Sequence, residues 1–227
     1  MKKLITQKTK NHAIKKLGTK LYFQACATFF CLFFSSQVFA AQNAKNDLLT
    51  KYKSDLEAIE VYLNSITNLS AKFIQKSNEG IVEGKFFLAR PGKMRIEYNN
   101  NPKILIVVNG AVLSYKDLEL DEVSNLSTNT TPASFLTRPN ISFAAKDVEI
   151  THVSKIGDTI TISLIKKNRT EAGEFSLIFK TSPALGFAKM QVKNDFGEVT
   201  TISLQDVSFP EKLNDDLFII RNKNLPF

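Results

Sequence analysis

Between Leu49 and Ile66 the apolar residues fall three and four apart (Leu49, Tyr52, Leu56, Ile59, Leu63, Ile66), with Lys51, Lys53, Asp55, Glu57 and Glu60 elsewhere. One apolar stripe on a polar cylinder predicts an amphipathic helix that covers another surface. From Leu69 the period drops to two, as Leu69, Ala71 and Phe73 alternate with Ser70 and Lys72. A turn at Asn78-Glu79-Gly80 leads into a strand over 82–88, and Arg90-Pro91-Gly92 leads into another over 94–98. The run Ile104 to Val108 ends in Asn109-Gly110, a strong hairpin signal, and Val112 to Tyr115 returns from it. Further strands are predicted over 147–154, 158–166, 173–180, 184–193 and 197–208. Such spacing with short turns makes a meandering antiparallel sheet, curved or closed. The segment Thr130-Thr131-Pro132-Ala133-Ser134-Phe135-Leu136, bounded by Pro139, carries a cap residue and a proline at the first helical position. It predicts a short helix inserted mid-sheet.

Charge changes the picture only at the beginning of the chain. The formal net charge is +8, yet residues 1–40 hold seven lysines and no acidic residue, and the rest carries 23 basic against 22 acidic side chains. The basicity therefore argues neither for nucleic acid nor for an anionic membrane as partner. A positive region ending near Lys20, an apolar stretch from Leu21 to Phe34, and Val38 and Ala40 at the −3 and −1 positions follow the layout of an export signal cleaved after Ala40. The apolar run is short for a membrane span. Both cysteines, Cys26 and Cys31, fall inside it. Residues 41–227 are thus expected to form one domain in the periplasm, without disulfides and with enough chain for an ordinary core.

Candidate chemistry is sparse. Residues 41–227 contain one histidine, His152, and neither cysteine nor tryptophan. A zinc site wants three or four convergent ligands, and a triad would have to be built around His152, which sits in an alternating strand pattern. No glycine-rich phosphate loop occurs. The pairs Asp121-Glu122 and Asp215-Asp216 lie beside turns, where solvated charge explains them, and Lys166-Lys167-Asn168-Arg169 reads as a solvated hairpin tip. The expectation is a protein that is not an enzyme and has no cofactor or metal. An enzyme would need His152 or the acidic pairs to converge in a cleft.

The run Gly84-Lys85-Phe86-Phe87-Leu88-Ala89-Arg90-Pro91-Gly92-Lys93-Met94-Arg95-Ile96-Glu97-Tyr98 resembles the periplasmic outer-membrane lipoprotein carrier, the LolA family. The likeness extends in order through Phe73-Ile74-Gln75, Val107-Val108-Asn109-Gly110, Thr131-Pro132 with Phe135-Leu136, and Leu213-Asn214-Asp215-Asp216-Leu217-Phe218. It implies a mainly β fold with a few helices: an open, strongly curved antiparallel sheet, like an unclosed half-barrel, whose helices form a lid over an apolar cavity. It implies a monomeric carrier that shelters lipoprotein acyl chains. Its partners would be an inner-membrane lipoprotein-releasing ABC transporter complex and an outer-membrane acceptor.

By the same resemblance the Arg90 side chain is a latch, reaching from the sheet to backbone carbonyls of the helical lid, with Leu136 at that lid. Two positions depart from the family pattern, Met94 where the best-known members have phenylalanine and Ile96 where many have tryptophan. Methionine still suits an adaptable apolar surface. Strand alternation puts Phe86 and Leu88 on one face with Arg90, and Met94, Ile96 and Tyr98 on the corresponding face of the next strand. With Leu56, Ile59 and Leu63 from the first helix and Phe135 from the second, they are the lipid-cavity candidates. Plain core packing explains all of them equally well. The same fold also suits a carrier or sensor of another lipid, a phospholipid or glycolipid.

Overall fold

Eleven strands make one antiparallel sheet: β1 (Asn68–Ser77), β2 (Gly80–Ala89), β3 (Lys93–Tyr98), β4 (Ile104–Asn109), β5 (Val112–Asp117), β6 (Glu122–Ser127), β7 (Val148–Ile156), β8 (Thr159–Lys166), β9 (Glu174–Lys180), β10 (Gly186–Lys193) and β11 (Val199–Ser208). Two helices accompany them, α1 (Lys53–Ser65) and α2 (Ala133–Thr137). The structure, a computed structural model, describes residues 49–99, 103–167 and 173–221. The export signal expected over residues 1–40 lies outside them. The chain divides into two units, Met1–Lys53 and Ser54–Phe227, and the sheet belongs to the second. Among the described residues no helix is long and apolar enough to cross a membrane.

The strand order is β6-β5-β4-β3-β2-β1-β11-β10-β9-β8-β7, so β6 and β7 are edges and the curved sheet does not close. Register carries the sequence alternation across the strands. Leu69, Leu88, Met94, Val108 and Leu113 stand opposite one another and are all buried. Ala71, Phe86, Ile96, Ile106 and Tyr115 form the next row, and Phe73, Gly84 and Tyr98 a third. On the other wing Ile160, Phe179 and Phe187 align, as do Ile162, Leu177 and Met190. These rows line the face that the helices cover. Leu56, Ile59 and Leu63 of α1 turn inward, and the Tyr62 ring meets Phe179 edge-on at 6.3 Å.

Gly84 belongs where it is because the Phe73 ring lies across it. A Cβ there would collide with the Glu97 carbonyl and come within 2.6 Å of that ring. The space a side chain would take is occupied by an aromatic edge that also packs T-shaped on Tyr98 at 5.4 Å. Gly110 plays a different part, supplying the positive φ of 61° that the Asn109-Gly110 hairpin turn needs.

The opposite face of the sheet is covered too, by the chain after β11. Phe218, 1 % exposed, packs on Leu105 and Val107 with Phe87, Ala89, Leu213, Leu217 and Ile220 around it. Polar contacts fix this strap. Asn214 caps a short 3-10 helix, Asp215–Phe218, by accepting from the Asp216 amide. Lys93 Nζ reaches Asp215 at 2.5 Å, and Arg95 Nη1 donates to the Leu217 carbonyl at 2.7 Å. Buried Lys116 reaches Asp121 at 2.6 Å and the Arg221 carbonyl at 3.4 Å.

Two local expectations need adjustment. Strand β6 is absent from the sequence reading because all of its residues but Val123 are exposed, and an edge strand with one neighbour needs no apolar alternation. Pro132 occupies the cap of α2 rather than its first helical position, with φ −57° and ψ −26° already helical.

Gly84→Ala should cost about 2 kcal/mol or more, since the collision involves backbone, lowering Tm by roughly 4–8 °C in thermal circular dichroism of residues 41–227. Phe218→Ala should cost about 3 kcal/mol in urea denaturation, through loss of the strap's one fully buried anchor.

Candidate functional site

Helix α1 ends without a basic residue in its last turn; the Ser65 hydroxyl donates to the Tyr62 carbonyl and the Ile66 amide to that of Leu63, but the negative end of the helix has no cation of its own. Arg90, at the end of β2, supplies what is missing. Its Nε donates to the Ile66 carbonyl at 2.9 Å, and Nη2 reaches the carbonyls of both Leu63 and Ile66. A guanidinium at the negative end of a helix gains from the macrodipole as well as from the hydrogen bonds. Burial pushes the Arg90 pKa below the ordinary guanidinium value. Its third nitrogen, Nη1, is buried with no partner. Charge-assisted bonds contribute about 1.5–3 kcal/mol each, and an unsatisfied buried donor costs about 1–3 kcal/mol. The grip is thus favourable yet well short of what three satisfied nitrogens would give.

The same turn holds the second helix. The Gly92 amide donates to the Thr137 carbonyl at 2.7 Å, at the end of α2. From the other side, Arg138 meets Asp147 through two nitrogen–oxygen pairs of 3.0 and 3.4 Å. Burial works against the Asp147 charge, but the hydrogen bond and charge of Arg138, its own backbone amide and the charge of Lys166 hold its carboxyl below the usual value. Lys166 Nζ also donates to the Asn129 carbonyl. It is a structural contact rather than the solvated tip expected from its sequence.

Helices and connecting chain are tied to one another as well. Asn64 of α1 makes a reciprocal pair with Ile141, donating to its carbonyl and accepting from its amide, both at 2.8 Å. Glu60 accepts from the Phe143 amide and the Ser142 hydroxyl. Phe135 and Phe143 stack at 5.7 Å beneath. The result is a lid of α1 plus residues 131–147.

The sequence-derived candidates divide cleanly. Leu56, Ile59, Leu63, Phe86, Leu88, Met94, Phe135 and Leu136 are all buried between lid and sheet. Ile96 and Tyr98 lie on the same sheet face but are only half-buried. The Tyr98 hydroxyl donates to Gln75 at 2.8 Å. Burial and neighbouring Tyr115 raise its pKa, partly offset by that hydrogen bond. Arg90 bonds the carbonyl of Leu63 in α1 and that of Ile66 just beyond it. The contact to the Leu136 helix comes from Gly92. Missed from sequence were Gly92, Asn64, Glu60 and the Arg138–Asp147 pair. An asparagine and a glutamate on one helix, each four residues or fewer from the apolar stripe, were the available signal for two of them.

The side chains that meet between sheet and lid are apolar and buried. An open cleft of about 40 Å³ is lined by Pro132, Phe135, Arg138, Leu164, Lys166 and Phe175. His152 and the acidic residues Asp121 and Asp215 lie apart from one another. His152 is exposed on edge strand β7, Asp215 is paired with Lys93 on the outer face, and Asp121 is paired with Lys116.

Residues 64–221 match the family model for the outer membrane lipoprotein carrier protein LolA. An outer-membrane lipoprotein carrier protein of Coxiella burnetii is 27% identical over 178 residues, 76% of this chain and 75% of that protein. An uncharacterized protein of Rickettsia prowazekii is 26% identical over 171 residues, 75% of this chain and 78% of that one. A solved LolA superfamily protein of Nitrosomonas europaea superimposes with a TM-score of 0.40 at 12% identity, over 73% of this chain and 97% of that one. The family match spans the sheet, the turn bearing Arg90, the lid segment and the C-terminal strap, and this chain belongs to the LolA family of outer-membrane lipoprotein carrier proteins.

Proposed function

We propose that the protein is a periplasmic carrier that shelters lipoprotein acyl chains between sheet and lid and moves them from the inner to the outer membrane. It takes its cargo from a lipoprotein-releasing ABC transporter complex and gives it to an outer-membrane acceptor. It needs no cofactor and performs no covalent chemistry. The physical need is plain. Each buried methylene is worth about 0.8 kcal/mol, so exposing one palmitoyl-sized chain to water costs on the order of 12 kcal/mol, and a triacylated protein does not cross an aqueous compartment alone.

The observation that carries this reading is the Arg90 latch. It is a charged donor on the sheet, bonded only to backbone carbonyls of the lid helix, over an interior of aliphatic and aromatic side chains. An acyl chain entering that interior displaces Leu56, Ile59, Leu63 and Phe135 and exchanges one apolar surface for another. Little net hydrophobic energy is gained or lost, so a latch of a few kcal/mol is able to set the balance between holding cargo and letting it go. Such an interior would bind cargo only as far as the lid moves, which keeps the affinity moderate.

The experiment is a release assay with purified residues 41–227 and lipoprotein-loaded spheroplasts. Lipoprotein should appear in the supernatant as a soluble one-to-one complex. Because the latch competes with cargo, Arg90→Leu should hold lipoprotein longer and slow its transfer to acceptor-bearing membranes several-fold. Absence of released lipoprotein, together with phospholipid or glycolipid copurifying in mass spectrometry, would replace this reading by that of a carrier of another lipid.

A further inference from the structure

We propose that Arg138 and Asp147 form a second latch, which holds the last turn of α2 to the β7–β8 edge and opens before cargo enters. The proposal rests on the carrier reading for its cargo and on geometry alone for the latch. Asp147 is fixed to the sheet: the Lys167 amide donates to its carbonyl at 3.0 Å, extending the β7–β8 ladder one step beyond the pairing of Val148 with Lys166. Arg138 is fixed to the lid. Its Nε donates to the Ser134 carbonyl at 3.3 Å, and its guanidinium lies 5.0 Å from the centre of the Phe135 ring. The two meet as a fork on a carboxylate, 3.0 and 3.4 Å apart, the geometry that makes arginine–carboxylate pairs directional.

Position is what makes this pair a latch. Strands β6 and β7 are the two free edges of the sheet, and the chain from Thr128 to Asp147 runs from one to the other. Thr137 is held from the β2–β3 turn by Gly92, and its neighbour Arg138 is held from the β7 edge by Asp147. Adjacent residues of one helix end are thus pinned to the sheet at two separate places. Lys166 reinforces the second place, lying 4.0 Å from Asp147 while gripping the Asn129 carbonyl at the beginning of the same segment. The Arg138 side chain is 16 % exposed and that of Asp147 46 %. Water reaches the carboxylate and is able to replace its partner when the pair parts. Beneath this ionic rim Phe135 is buried, so parting the fork frees the apolar side of α2 to swing away from the sheet.

The test is hydrogen exchange by mass spectrometry on residues 41–227, read over the amides of 133–143. Asp147→Asn keeps the size and one acceptor but removes the charge. It should speed exchange there about two- to fivefold, the effect of one partly exposed ion pair on a local opening, with wild-type rates in β1 and β2. Asp147→Glu, which keeps the charge, should recover part of the protection. In the same preparations a synthetic triacylated lipopeptide should load several-fold faster into Asp147→Asn than into wild type. Unchanged exchange over 133–143 overturns the latch. Acceleration spread over the whole sheet also overturns it, because Asp147 would then be an ordinary stabilising residue. Local acceleration with no lipopeptide taken up by either protein supports the latch and overturns the carrier reading.

Discussion

An apolar sheet face exposed to water is the constraint on which this structure turns. The rows led by Leu69, Ala71 and Phe73 on β1 to β5, and those of Ile160 and Ile162 on the other wing, put large hydrophobic side chains on one side of the sheet, and an unclosed sheet has no opposite wall to bury them. Burial at about 25 cal/mol per Å² of apolar surface makes leaving that face bare untenable. Something must cover it at all times. In this state the cover is the protein's own lid, and in the proposed loaded state it is the acyl chains of cargo with the lid displaced. Arg90, Gly92, Asn64 and Glu60 are best understood as the polar means by which an apolar cover is positioned without being made permanent.

The two faces of the sheet are treated differently in consequence. On the outer face the C-terminal strap is held by a fully buried aromatic, Phe218, by one ion pair from β3, Lys93–Asp215, and by carbonyl contacts from Arg95 of β3 and Lys116 of β5. Nothing there is left unsatisfied in the way Arg90 Nη1 is on the lid side. A well-anchored outer face keeps the sheet's curvature fixed while the inner cover changes. The proposed release of the lid from a fixed sheet rests on this difference in how completely each set of polar contacts is satisfied.

Much of this was legible in the sequence. Alternation and turn signals predict ten of the strands, most of which have a buried and a more solvated side, though β9 is buried on both, and the three-and-four spacing of Leu56, Ile59 and Leu63 predicts the covering helix. Strand β6 left no trace, since an exposed edge strand is under no pressure to alternate. Arg90 was singled out by resemblance, and its target only as far as backbone carbonyls of a helical lid. The vacancy it fills is the missing cation in the last turn of α1, and which carbonyls a side chain 24 residues later will find depends on how sheet and helix cross. Arg138 and Asp147 gave still less warning. They lie in connecting chain with no period, where a charge reads as solvated until the partner is placed.

The central claim is that lid and acyl chains compete for one apolar surface, and distance measurement tests it most directly. Residues 41–227 contain no cysteine, so spin labels placed by Val61→Cys on α1 and Val112→Cys on β5, both exposed positions, report on the lid alone. Pulsed electron paramagnetic resonance of the empty protein should give one narrow distance distribution. Loading with triacylated lipopeptide should move it to longer distances, as α1 leaves the sheet. A distribution unchanged in a protein shown to have bound the lipopeptide would mean that cargo sits elsewhere, and that the lid covers a core rather than a binding site.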